Sequence, residues 1–357
     1  MIVVTFLGVF ALAYVLWCLS IRRGLRNLHC TRAFSRPAYF VGEESELVEV
    51  VRNDSPAVIP MLRVESRISP HIRLGRQDNL HVSGEKYYCS QFALLPYQQI
   101  RRRHRVRFLH RGSFNLGSAS LTALDIVGLS EFHRVQEADV PVLVYPPLIE
   151  DAEIPTPMST QLREITRQPQ LLQDPFLVRG LRTYQPGDPV RDIHWAATAR
   201  MGDVQVRIHD YCVQTKLLVV LNVQTLDFQW SDQLSEREES LIEYGISLAA
   251  TACVKGLREG LAVGFAANMT VDREKESVLM LPAEGNGREE ELLTTLARLK
   301  ILRTENFPVL LNDLAAYTGL DMLILSAYDS ERIQEALEQL RRSGNQVTFQ
   351  LLEGGGI

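Results

Sequence analysis

The chain opens on an apolar run without a charge, IVVTFLGVFALAYVLWCLSI at 2–21, followed at once by Arg22, Arg23 and Arg26. At 1.5 Å per residue, about 20 apolar residues span a hydrocarbon core of roughly 30 Å, so residues 1–24 are expected to be a transmembrane anchor. No Lys or Arg precedes the run and no small-x-small cleavage site follows it, which argues against a removed signal peptide. Arginines on the C-terminal flank alone place everything after residue 22 in the cytoplasm, with Trp17 at headgroup level. The expected location is a single-pass protein of the bacterial cytoplasmic membrane with its soluble domains in the cytoplasm.

From 31 to 147 the pattern is short β-rich runs broken by turn residues, among them LVEVVRNDSPAVIPMLRVES, HRVRFLHRGSFNLGSASLTALD and VPVLVYPP. Strands at this spacing without a helical period predict an all-β sandwich of immunoglobulin-like kind. Within it, IRRRHRVRF sets Arg101, Arg103, Arg105 and Arg107 on one strand face and Val106 and Phe108 on the other, because strand side chains alternate with period two. That arginine row either meets an anionic surface or is a solvated face balanced by Glu43, Glu44, Glu46 and Glu49 on a neighbouring strand.

The texture changes at 214. KLLVVLNV, LAVGFAA, LDMLILS and QVTFQLL are buried-type strands, and EREESLIEYGISLAATACVKGLREG, GREEELLTTLARLK and SERIQEALEQLRRSG are amphipathic helices between them. Alternating β and α predicts a doubly wound parallel sheet over 214–357, whose ligands gather at the C-terminal strand ends. Asn222, Gln224, Ser326 and Asp329 fall there, but a single carboxylate is a poor set for a divalent cation. No metal and no cofactor is expected.

Between the two domains, 148–213 is expected to be a linker carrying one dense element, RGLRTYQPGDPVRDIHWAATARMGDVQVRIHDY at 179–211. Pro186-Gly187 has the order of a type II turn, Asp188-Pro189 reads as an N-cap and N1 proline, and Gly202 as a C-terminal stop. A helix over 189–201 follows, with Val190, Ile193 and Ala197 on one face, and then a strand. Three roles fit the charged and aromatic residues Arg179, Arg182, Tyr184, Asp188, Arg191, Asp192, His194, Trp195 and Arg200: a bracing ion-pair network, a docking face, or a catalytic element. Asp192 and His194 lie two apart and do not face each other on a helix. The chain holds no GxSxG, GxxxxGK[ST] or HExxH motif.

Composition narrows the classes. The net charge of −5 argues against nucleic acid held by bulk charge. Five separated cysteines without a CxxC pair read as reduced thiols rather than a disulfide framework. No small-molecule substrate suggests itself.

The stretch VRGLRTYQPGDPVRDIHWAATAR resembles the signature of the family catalogued as domain of unknown function number fifty-eight, on Arg182, Tyr184, Pro186, Gly187, Asp188, Arg191, Ile193, Trp195, Ala199 and Arg200. HRGSFNLGSASLTALDIVGL resembles the end of that family's β domain, on Arg111, Gly112, Leu116, Gly117, Asp125, Gly128 and Leu129. The resemblance implies a C-terminal half folded like a von Willebrand factor A domain. Its Asp-x-Ser-x-Ser adhesion motif would fall on Asn222, Gln224 and Leu226, a degenerate site. It also implies a MoxR-type AAA+ ATPase as partner, in assembly or maturation of envelope proteins. The expected function is therefore a membrane-anchored interaction or adaptor protein rather than an enzyme. A hydrolase or phosphotransferase centred on Asp188, Arg191, Asp192 and His194, and a metal-dependent adhesion protein, are the alternatives.

Overall fold

The computed structural model of the chain describes residues 2–75, 80–83, 87–125, 128–167, 172–212, 215–227, 234–271 and 276–353. The chain divides into two compact units, residues 1–147 with 293–299, and residues 148–292 with 300–357.

The first unit begins with helix α1 (Ile2–Arg26), followed by β1 (Leu28–Phe34), β2 (Ala38–Phe40), β3 (Glu44–Asn53), β4 (Ile59–Arg67), β5 (Ile72–Leu74), β6 (Leu80–Ser83), β7 (Tyr87–Leu94), β8 (Gln99–Phe108), β9 (Gly112–Asn115), β10 (Ala119–Leu124), β11 (Glu131–Gln136) and β12 (Pro141–Tyr145). They form sheets of order β1-β3-β8-β5 and β11-β10-β4-β7-β6, with a third small sheet β2-β12-β9. The two larger sheets pack face to face, because one core joins Leu28, Cys30 and Val51 of the first to Ile59, Leu62, Val64, Phe92, Leu121 and Ala123 of the second. Helix α1 is long and apolar enough to cross a membrane. It runs two residues past the expected anchor of 1–24, and Ile21 and Leu25 of its last turns enter the sandwich core. Burying these two side chains contributes about 3–6 kcal/mol to holding the helix base on the sandwich. Arg134 of β11 closes the helix end, donating to the carbonyls of Leu25, Arg26 and Leu28 at 3.0, 2.6 and 3.2 Å.

The ionisable side chains Arg32, Glu49, Tyr88 and His104 occupy inward positions of this β unit. Arg32 donates to Ser66 Oγ, to Tyr88 Oη at 3.0 Å and to the Gly117 carbonyl at 3.0 Å. Tyr88 Oη in turn donates to Glu49 at 3.5 Å, and the other Glu49 oxygen faces His104 Nε2 at 3.4 Å. Glu49 is thus fully buried among partners, which removes it from the set of glutamates expected to balance the outward arginine row.

The chain continues with α2 (Thr156–Arg167), β13 (Leu172–Thr183), α3 (Trp195–Met201), β14 (Gln205–Cys212), β15 (Lys216–Leu221), α4 (Glu236–Arg258), β16 (Ala262–Ala267), β17 (Met269–Val271), β18 (Val278–Ala283), α5 (Arg288–Arg298), β19 (Leu299–Arg303), α6 (Phe307–Leu314), β20 (Asp321–Ser326), α7 (Glu331–Arg342) and β21 (Gln346–Leu351), which make up the second unit except for residues 293–299 of α5 and β19, which group with the first. The main sheet of the second unit has the order β18-β16-β15-β20-β21. The four strands β16, β15, β20 and β21 run parallel, as expected from the alternating pattern. Strand β18 is the exception and pairs antiparallel at the edge. The chain between β16 and β18 is too short for the crossover that a parallel neighbour requires. Leu218, Val220, Met322 and Ile324 face α6 and α7, and α4 packs on β15 and β16.

Candidate functional site

Strands β13 and β14 form a two-stranded antiparallel ribbon, with Arg182 opposite Val206 and Thr183 opposite Gln205. The signature residues close its end. Tyr184 N donates to the Val204 carbonyl at 2.8 Å, and His194 N to the Gln205 carbonyl at 2.8 Å. Between them Asp188 N donates to the Gln185 carbonyl at 3.0 Å, and Gly187 takes φ 111°, the positive value the turn was expected to need.

The helix expected over 189–201 is shorter. A 3₁₀ turn covers Val190–Asp192, and α3 starts only at Trp195, with His194 as its N-cap. Asp188 does not cap it. Its carboxylate instead receives both Arg182 Nη1 and Nη2 at 2.7 Å and the Gln185 N–H at 2.8 Å. This fork-to-carboxylate pair ties strand to turn. The Arg182 guanidinium is the main reason the Asp188 carboxyl lies below the usual carboxylate range, and Asp188 raises Arg182 in return. Gly202 does end the helix, at φ 82°.

Among the described residues, the expected network centres on the Arg182–Asp188 pair. Arg191 is 83% exposed and lies 3.9 Å from its sequence neighbour Asp192. Arg200 and Pro186 are exposed, Tyr184 is half-buried, and the side chain of Arg179 lies outside the described residues. Of the apolar face predicted for the helix, Ile193 is buried but Val190 is 68% exposed. Trp195 is 66% and Met201 68% exposed, and Leu181 and Val204 also show their side chains to solvent. His194 Nδ1 accepts the Ala197 N–H at 3.1 Å, so that nitrogen serves the helix end and is not a free base.

The arginine row lies where alternation put it. Arg101, Arg103, Arg105 and Arg107 are exposed on β8, and Glu44 and Glu46 of β3 lie opposite Arg107 and Arg105. Arg103 approaches Glu46 at 3.5 Å, while Glu43 pairs with Arg36 instead. Of the matched β-domain residues, Arg111 donates to the carbonyls of Leu296, Ala297 and Leu299 within the same unit.

At the strand ends of the second unit, Asn222 and Ser326 do meet, with Asn222 Nδ2 donating to Ser326 Oγ at 3.0 Å. The hub is Asn268 at the end of β16, which the sequence reading missed. Its Oδ1 accepts from Val223 N at 2.8 Å, and its Nδ2 donates to Asn222 Oδ1 at 3.2 Å, Gln224 Oε1 at 3.4 Å and the Glu305 carbonyl at 3.3 Å. Phe307 N also donates to Gln224 Oε1, at 2.7 Å. Asp329 is not part of this cluster, since both its oxygens accept from Gln334 Nε2 at 2.9 Å. These are neutral amides whose oxygens already accept hydrogen bonds, and the buried atom without a partner, Gln224 Nε2, is a donor that offers nothing to a cation. The residues do not fit a divalent metal, which prefers ionised oxygens. Among the described residues no group of three or more His, Cys, Asp or Glu is placed to hold one.

An apolar N-terminal helix, a β-rich unit of several sheets and an α/β unit define the class of protein. Residues 180–303 match the model of the family described as "Protein of unknown function DUF58", which supports the family resemblance seen in the signature. No curated protein matches the chain. Among solved structures it is similar to the CARDB domain of a Pyrococcus furiosus protein, at 18% identity over 33% of this chain and 93% of that one, with a TM-score of 0.22. It is also similar to a non-cellulosomal cohesin of Archaeoglobus fulgidus, at 10% identity over 32% of this chain and 90% of that one, with a TM-score of 0.21.

Proposed function

We propose that the chain is a membrane-anchored interaction protein whose signature element, from Arg182 to Arg207, is the docking face for a protein partner. The observation that carries this is Trp195. A tryptophan in a specific motif, two-thirds exposed at the start of a helix, is poorly explained by packing and well explained as an interface anchor. Val190 and Met201 add exposed apolar surface on the same element, and the Arg182–Asp188 pair keeps its turn in shape. The partner proposed is an AAA+ ATPase of the MoxR type, on the strength of the family resemblance. The α/β unit is proposed to be von Willebrand factor A-like, with its strand-end amide cluster standing where that fold's adhesion site would hold a metal. The arginines after α1 favour a cytoplasmic position for both units.

The test is affinity capture of the tagged full chain in mild detergent beside Trp195→Ala. Because the side chain is mostly exposed, the substitution is expected to move stability by no more than about 0.5 kcal/mol. Loss of an interface anchor costs 2 kcal/mol or more, roughly a 30-fold weaker complex. Capture of an AAA+ ATPase that survives Trp195→Ala unchanged would move the interface off this element.

A further inference from the structure

Helix α1 is exposed at every position over only part of its length. Val3–Ala13 are exposed at every position, but Tyr14 Oη donates to Asp125 Oδ2 at 2.5 Å and lies 3.0 Å from Ser130 Oγ, and Cys18 Sγ donates to Ser130 Oγ at 3.5 Å. The exposed stretch is about 17 Å long at 1.5 Å per residue. A hydrocarbon core is roughly 30 Å thick. The helix therefore crosses only if the stretch beside Asp125 and Ser130 is in the membrane too. Its open face agrees, since Val15, Leu16 and Leu19 stay more than half exposed and Trp17 is 37% exposed. If the core ends near Ser20, Cys18 and Tyr14 sit about 3 and 9 Å inside it, which is the depth of interfacial burial.

The same end of the sandwich carries exposed apolar side chains. Leu129, next to the Ser130 that Tyr14 touches, is 77% exposed. At the base of the helix Asp54 N donates to the Asn27 carbonyl and Tyr97 N to the Ser55 carbonyl, while Asn53 Nδ2 reaches the Leu95 carbonyl at 3.0 Å. Leu95 and Tyr97 on that turn are 61% and 71% exposed. Tyr97 holds φ 56°, a left-handed value uncommon for a residue with a side chain. Arg22, Arg23, Arg26 and Arg52 are exposed around this end.

We infer that this end of the sandwich is seated in the bilayer, with Leu129 in the outer acyl layer beside α1 and the Leu95–Tyr97 turn at headgroup level. The occupant is a lipid surface, because the helix that rises from this end is itself the apolar segment long enough to cross one. The inference rests on the reading of α1 as a membrane anchor. An aromatic ring at the interface and arginines just outside it are the arrangement such a boundary favours.

The experiment uses the full chain in phospholipid nanodiscs, with Trp17, Trp195 and Trp230 replaced by Phe. Single reporters are then introduced as Phe10→Trp, Leu129→Trp, Tyr97→Trp and Arg67→Trp, each checked for an unchanged melting temperature. The quencher is a phospholipid brominated on its acyl chains. Phe10→Trp and Leu129→Trp are expected to lose about half or more of their emission, since both indoles would lie in acyl chains. Tyr97→Trp should lose less, and Arg67→Trp, at the far end of β4, none. Quenching of Phe10→Trp with Leu129→Trp and Tyr97→Trp as bright as Arg67→Trp would overturn the seating and leave the anchor intact. No quenching at Phe10→Trp would overturn both.

Discussion

Asn268→Ala tests whether the strand-end amide cluster is a structural lock. Asn268 is fully buried, and the substitution removes the acceptor of Val223 N and the donor to Asn222, Gln224 and Glu305. Two of these neighbours keep another partner, because Gln224 N still bonds Asn222 Oδ1 and Phe307 N still bonds Gln224 Oε1. The Val223 N–H loses its acceptor and the Glu305 carbonyl a donor, at a cost of about 1–3 kcal/mol, and the vacated amide volume adds about 1 kcal/mol. A total near 3 kcal/mol converts, for a unit of this size, to a melting temperature lower by about 6–12 °C. The assay is thermal unfolding of the full chain in detergent followed by circular dichroism. Asn268→Asp should be worse at neutral pH, because a carboxylate would face the oxygens of Asn222, Gln224 and Glu305, and should recover part of the loss as falling pH protonates it. A fall below about 2 °C for Asn268→Ala would refute the claim that these amides hold the strand ends. Magnesium at millimolar level is expected to change neither melting curve.

Gly264→Ala should fail to give folded protein, because a Cβ there would lie 2.5 Å from the Met280 carbonyl oxygen and 2.7 Å from Pro282 N, both backbone atoms of the paired edge strand; soluble yield and circular dichroism report it. Glu238, in a capping box with Ser235 at the start of α4, has its carboxyl lowered to about 2 by hydrogen bonds from Ser235 and Thr225. Its contribution is thus full above the ordinary Glu value of 4.5 and is lost as pH falls toward 2. Melting temperatures across that window should drop less steeply for Glu238→Gln than for the native chain. Burial pushes the Cys30 and Cys253 thiols up to about 12, so at pH 8 their thiolate fraction is about 10⁻⁴. Iodoacetamide should label them only after unfolding, as read by mass spectrometry.

The elements with strong periodicity were legible in the sequence. The four parallel strands of the second unit are apolar runs with few other readings, and the arginine row on β8 follows from alternation alone. The same alternation also held information that went unread. Val106 and Phe108 point inward, so His104 does as well, and Leu47 and Val51 carry Glu49 in with them. The inward placing of Glu49, cross-strand from Arg32, and of His104 was therefore predictable from three strands taken together. Helix α2 stands where a linker was expected, although Met158, Leu162 and Ile165 repeat at helical spacing and are all buried. Asn268 left no comparable signal, because its role depends on loops more than 35 residues away being brought to it.

The signature element shows why a strong local pattern can still be misread. Asp followed by Pro is a sound start signal for a helix, since the aspartate can accept orphan N–H groups and the proline lacks one. That rule considers only the residues that follow. Here Arg182 lies earlier in the chain, on β13, and its two N–H groups compete for the same carboxylate that a helix would offer single backbone donors. A charged fork is the stronger partner, so Asp188 turns back toward the strand and the start of α3 passes to His194. The displacement leaves Val190 outside the helix and sets Trp195 at its first turn, facing solvent. The ion pair thus shapes the turn, and the exposed aromatic that supports a docking role is a consequence of where that pair lets the helix begin.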